Sequence, residues 1–241
     1  MKHLNAIIFG VAIVISAYFL GNAYVERSNP ARLISITGLG NENFTSDLIV
    51  WEGRFVAFNT VLKTAFEQLN KDKEIVSDYL VSKGISPENI IFNAVQTIEQ
   101  RDNKYDNGNF VGSIFRGYEL SQSVQIESSD VALVEKVSRE ITELLNKGVQ
   151  FNSSPPRYYY TKLSDLKIKM ISKATEDARI RAEKIAENSG GTLGDLISAR
   201  MGVFQITGQN SDEDYSWGGA YNTSAKKKTA SITMRLEYKV K

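Results

Sequence analysis

Ser164 to Gly191 reads SDLKIKMISKATEDARIRAEKIAENSGG, and its spacing decides the fold class. Met170, Ala174, Ala178, Ala182, Ile185 and Ala186 recur at helical steps. The stretch therefore predicts one long helix from about Ser164 to Asn188, with Ser164 as N-cap and Gly190-Gly191 as the stop. At 1.5 Å per residue such a helix spans roughly 37 Å. Asp177 and Arg181 stand four apart, an acid–base pair worth a few tenths of a kcal/mol. The alanine seam lets another backbone approach closely, from within the chain or from a second subunit.

Strand-like alternation lies on both sides of this helix. Leu33 to Thr37 alternates and runs into Gly38-Leu39-Gly40, read as a strand entering a tight turn. Leu48 to Phe58 places Ile49, Trp51, Phe55 and Ala57 on one parity, the second strand of a hairpin, with a bend expected at Gly53. From Thr60 the period becomes helical, through Leu62, Phe66, Leu69, Val76, Tyr79 and Leu80, and stops at Gly84. Short strands follow at Ile90 to Phe92 and Val95 to Thr97. Arg101 to Ser113, polar and rich in Gly and Asn, reads as a loop before a long strand through Tyr118, Leu120, Val124 and Ile126. Ser128-Ser129-Asp130 opens a helix whose apolar face is Val134, Val137, Ile141, Leu144 and Leu145, closed by Gly148. Arg157 to Thr161 is a short strand. Leu193 to Ile206 and about Lys228 to Val240 close the chain as strands. Between them, 207–227 reads as a flexible insertion. The order ββα-ββα-βα-ββ predicts an α+β fold, antiparallel hairpins with three main helices packed on the sheet.

An apolar run from Leu4 to Leu20, behind Met1, Lys2 and His3, precedes this domain. It has the layout of an export signal or a membrane anchor over residues 1–25, joined by a connector at 26–31 to a domain at 32–241. Gly21-x-Ala23 suits signal cleavage, whereas Ile7 to Val25 is just long enough to span. In either case Lys2 favours an inner N-terminus, so the body is expected in the periplasm or on the extracytoplasmic face. The 241 residues carry 29 Lys+Arg against 28 Asp+Glu, a net charge of +1, which lacks the basic field of a nucleic-acid binder. The 42% hydrophobic content is that of a globular chain, and with no Cys there are no disulfides.

Several motifs together resemble the SIMPL-domain family. Ile36-Thr37-Gly38-Leu39-Gly40 resembles its opening strand. Ala174-Thr175-Glu176-Asp177-Ala178-Arg179, Arg181 to Ala186 and then Gly191-x-x-Gly194 resemble its acidic, alanine-rich, basic helix running into a Gly-rich turn. Gly117-Tyr118 and Ser129-Asp130-Val131 match as well. Trp51 and the run from Phe151 to Ala174 are similar to a subset of exported members. The resemblance implies an α+β fold and an envelope location, and it carries no catalytic residue set.

The residue inventory narrows the chemistry further. The single His is His3, in the leader, and there is no Cys. The body therefore lacks the imidazole or thiol of common nucleophilic triads and the usual zinc ligands, so no catalytic, cofactor or metal residue is assigned. Ser164-Asp165-Leu166-Lys167 matches S-x-x-K without its companion motifs. Asp102, Asp106, Asn107 and Asn109, and Asp212 to Asp214, do not follow the calcium-loop pattern. Lys226-Lys227-Lys228 reads as edge lysines at a strand entrance. The aromatics Tyr158, Tyr159, Tyr160, Tyr215, Trp217 and Tyr221 remain as candidate interface residues. The expectation is a non-enzymatic, envelope-associated protein acting through protein contacts or as a homo-oligomer, in envelope maintenance or stress tolerance. It binds no nucleic acid and touches the membrane through residues 4–25 if these are retained. The alternatives are a carboxylate-dependent hydrolase of envelope polymers and a small-ligand carrier.

Overall fold

Alternation and helical periodicity sort the chain into α1 (Lys2–Ser28), β1 (Leu33–Thr45), β2 (Leu48–Asn59), α2 (Leu62–Ser82), β3 (Ile90–Phe92), β4 (Gln96–Asp106) and β5 (Asn109–Ser128). Then come α3 (Val131–Glu140), β6 (Gln150–Ser153), β7 (Arg157–Tyr159), α4 (Leu163–Asn188), β8 (Leu193–Met201), β9 (Gln205–Gly208) and β10 (Lys227–Val240). This computed structural model describes the backbone of residues 2–28 and 33–241, and the side chains of 9–24 and 33–241. The fold is α+β with antiparallel sheets, as expected. Helix reaches Ser28, and residues 29–31 of the expected connector lie outside the described ones. From Phe9 to Tyr24 the large apolar side chains of α1 are exposed. Among the described residues no helix is long and apolar enough to cross a membrane.

The chain divides into two units. The larger holds residues 41–170 and 203–231. Its sheet has the order β3-β5-β2-β6, with β4 also on β5 and β7 also on β2. The odd residues Ile49, Trp51, Phe55 and Ala57 of β2 are buried against Ala65, Leu69, Val76 and Leu80 of α2 and Val134 and Val137 of α3. The Trp51 indole N–H donates to Ser153 Oγ at 3.0 Å, so the largest core side chain leaves no donor unpaired. At Gly53 the strand keeps its register, with no bulge. The Phe151 ring occupies the space a Cβ there would need, which is why β2 tolerates a glycine mid-strand. Asp130 caps α3 by accepting from the Leu133 N–H at 3.0 Å.

The smaller unit holds the first part of the chain to Gly40, residues 171–202 and residues 232–241. There β8 pairs antiparallel with β10, and the buried Ala174 and Ala178 of α4 lie against Gly38. Asp177 Oδ2 accepts from the Leu39 N–H at 2.9 Å, while its other oxygen takes Arg181 at 3.0 Å.

Several expectations are corrected. Gly38-Leu39-Gly40 is strand, not turn, and β1 lies beside β10 and not β2, so the first hairpin does not form. The glycine serves helix packing and not chain reversal. Residues 101–113 are not a loop, because β4 and β5 run on to a two-residue turn at Asn107-Gly108, both at positive φ. The expected strand 193–206 is two strands, β8 and β9. Leu62, Phe66, Leu145 and Ile185, read as core, are exposed. Ser164 is the second residue of α4 and not its cap.

Candidate interaction surface

The expected insertion begins inside β9, and its remainder, 209–226, is held by hydrogen bonds along its length. Gln205, buried on β9, anchors it. Its Nε2 donates to the Ser216 carbonyl at 2.7 Å. Its Oε1 accepts from the N–H groups of Ser216 at 3.2 Å and Ala220 at 2.7 Å. The Ile206 backbone pairs with Ala220 and Asn222, and Glu213 accepts from the Gly208 N–H at 3.0 Å. At the far end the Tyr158 N–H donates to the Thr223 carbonyl at 2.7 Å. This segment is therefore a loop tied by hydrogen bonds at several points. It holds Trp217 outward with 99% of its surface exposed, beside exposed Tyr215 and Tyr221.

The three consecutive tyrosines separate. Tyr158 is 8% exposed and belongs to the core, and its hydroxyl donates to Glu135 Oε1 at 3.2 Å. Burial, then the Glu135 charge, pushes its phenol upward from the ordinary tyrosine range. Tyr159 and Tyr160 are half-buried, with the Tyr160 ring 4.7 Å from Phe44. Glu135 also accepts from Lys226 Nζ at 2.9 Å, and that bond holds its carboxyl below the usual glutamate range.

Lys228 lies at the foot of the loop and is 1% exposed. It is no edge lysine: it shares parity with the buried Ala230, Ile232 and Met234 on β10. Its ammonium donates to the Tyr158 carbonyl and stands 5.8 Å from the Tyr221 ring centre. Desolvation lowers its pKa to about 8. Asp72 is also buried. It accepts from Gln68 at 2.9 Å, and burial raises its carboxyl. Among the described residues no three acidic or imidazole side chains gather as metal ligands.

The reading of the sequence missed a second exposed surface. Beyond Tyr118, where β2 ends its pairing, β4 and β5 continue as a two-stranded arm. Tyr105 and Phe110 face each other near its tip at 5.9 Å, both 61% exposed. Phe115 packs on Tyr118 at 5.2 Å, with the Arg101 guanidinium 5.8 Å from its centre. The Asn-Gly pair was the legible signal.

A family model described as SIMPL, a protein of unknown function (DUF541), matches residues 34–239. The chain belongs to the SIMPL family. The match covers the Gly38 strand, the arm, the aromatic loop and the alanine helix of this SIMPL protein. No curated protein matches the chain.

Proposed function

We propose that this SIMPL protein is a non-enzymatic component of the cell envelope that works through protein contacts, chiefly with copies of itself. Its body faces the periplasm or cell exterior, either tethered through residues 4–25 or released by cleavage. Envelope maintenance and stress tolerance suit such a role. The observation that carries the reading is Trp217, fully displayed on a loop that the buried Gln205 fixes in place. A large aromatic displayed on an ordered segment, with Tyr215 and Tyr221 beside it, is the composition of an interface centre.

The test is light scattering on the full chain in mild detergent. Trp217→Ala and Tyr215→Ala together are expected to lower the assembly mass while the melting temperature stays unchanged. An unchanged mass would count against this surface.

A further inference from the structure

We propose that the β4–β5 arm joins two copies of the chain by antiparallel pairing of β4 with β4 about a two-fold axis at Asn103. This deepens the self-association reading above and rests on it.

The arm is a poor structure for a single chain. From Gln100 to Gly117 its two strands have only each other as sheet partners among the described residues. Two strands alone are marginal in water, and stability comes with a third strand or a packed face. Ile98, Tyr105, Phe110, Val111, Ile114 and Phe115 are all exposed. With two copies side by side, the arm becomes a four-stranded sheet.

The two edges of the arm differ. On the β5 edge an extra residue interrupts the register at Arg116 and again at Val111, and Gly112 and Gly117 adopt positive φ. Such bulges spoil an edge for pairing. The β4 edge is regular through the stretch between them, Arg101 to Lys104. It is the edge open to another strand.

Charge selects the register. An antiparallel pair about a two-fold axis perpendicular to the sheet sets one residue opposite its own copy. Centring on Arg101, Asp102 or Lys104 sets like charges face to face, which is unfavourable. Centring on Asn103 sets an amide against an amide. It also sets Asp102 against Lys104 twice and Arg101 against the exposed Tyr105 ring twice. Lys104 has no ion pair within the chain among the described residues, so this contact supplies one.

The experiment is cysteine cross-linking in the full chain, which has no Cys of its own. Residues directly opposed in an antiparallel pair have Cα atoms about 4.5–5.5 Å apart, within disulfide range. Asn103→Cys is expected to give a covalent dimer as the major species on mild oxidation. Arg101→Cys, about 14 Å from its copy at 3.4 Å per residue, is expected to give at least tenfold less. In sedimentation velocity, Lys104→Asp is expected to weaken association at least tenfold, and Asp102→Lys with Lys104→Asp to restore it. If the wild-type chain associates while Asn103→Cys cross-links no better than Arg101→Cys, the arm is not the interface, although self-association stands. If the wild-type chain is single at every concentration, both readings fall.

Discussion

Gly38 and Ala178 sit so close that no side chain fits between them. A Cβ on Gly38 would lie 2.5 Å from the Ala178 nitrogen and 2.7 Å from its Cβ, with the Ala174 carbonyl nearer still. The obstacles are the backbone and first side-chain atom of a helix, which cannot rotate away. Gly38→Ala is therefore expected to destabilise the fold by about 3 kcal/mol. Urea denaturation followed by circular dichroism reads this as a lowered midpoint. A midpoint equal to that of the wild type would show that α4 yields freely at this strand.

Lys228 makes stability depend on pH in an unusual direction. Its pKa is lowered to about 8 in the folded chain, whereas the unfolded chain keeps the ordinary lysine value of about 10.5. Between these values the unfolded state binds more protons, so stability rises with pH from about 8. The gain is about 3 kcal/mol when complete. Near pH 10 an opposite effect begins, because burial raises the phenols of Tyr79 and Tyr158 in the fold. Lys228→Met is expected to be more stable than wild type at pH 7 and to lose the rise between pH 8 and 10. Thermal melts across that range compare the two, and parallel curves would refute the assignment.

Gln205 is the fastening of the aromatic loop. Gln205→Ala removes one amide donor and the acceptor shared by Ser216 and Ala220. Hydrogen exchange at Ser216 and Ala220 is expected to accelerate at least tenfold, with the β2 core unaffected. Exchange equal to wild type would mean that the loop is held elsewhere.

Asp130→Ala removes the cap of α3 and is expected to cost about 1 kcal/mol. Asp130→Asn keeps an acceptor and should recover most of it. Chemical denaturation of the pair separates capping from charge.

The sequence disclosed elements with strong local signals. The alanine periodicity of α4, the odd parity of β2 and the Asp130 cap all stand where the spacing put them. What it concealed was tertiary. Gly38-Leu39-Gly40 carries a turn composition, yet Gly38 serves the close approach of the strand to α4. The arm is polar enough to pass for a loop because nearly all of β4 is exposed, so the usual alternation is diluted. Lys228 reads as surface by residue type, and only its parity with Ala230 and Ile232 reveals the buried face. Of the candidate interface residues, the loop aromatics Trp217, Tyr215 and Tyr221 are exposed. Tyr158 instead entered the core, because strand alternation alone cannot say which face is covered.

The most direct measurement is sedimentation equilibrium of the full chain in density-matched detergent over a hundredfold range of concentration. Contact between copies through exposed aromatic surface predicts a mass that is a multiple of the single chain and falls on dilution. A single-chain mass throughout that range would contradict it.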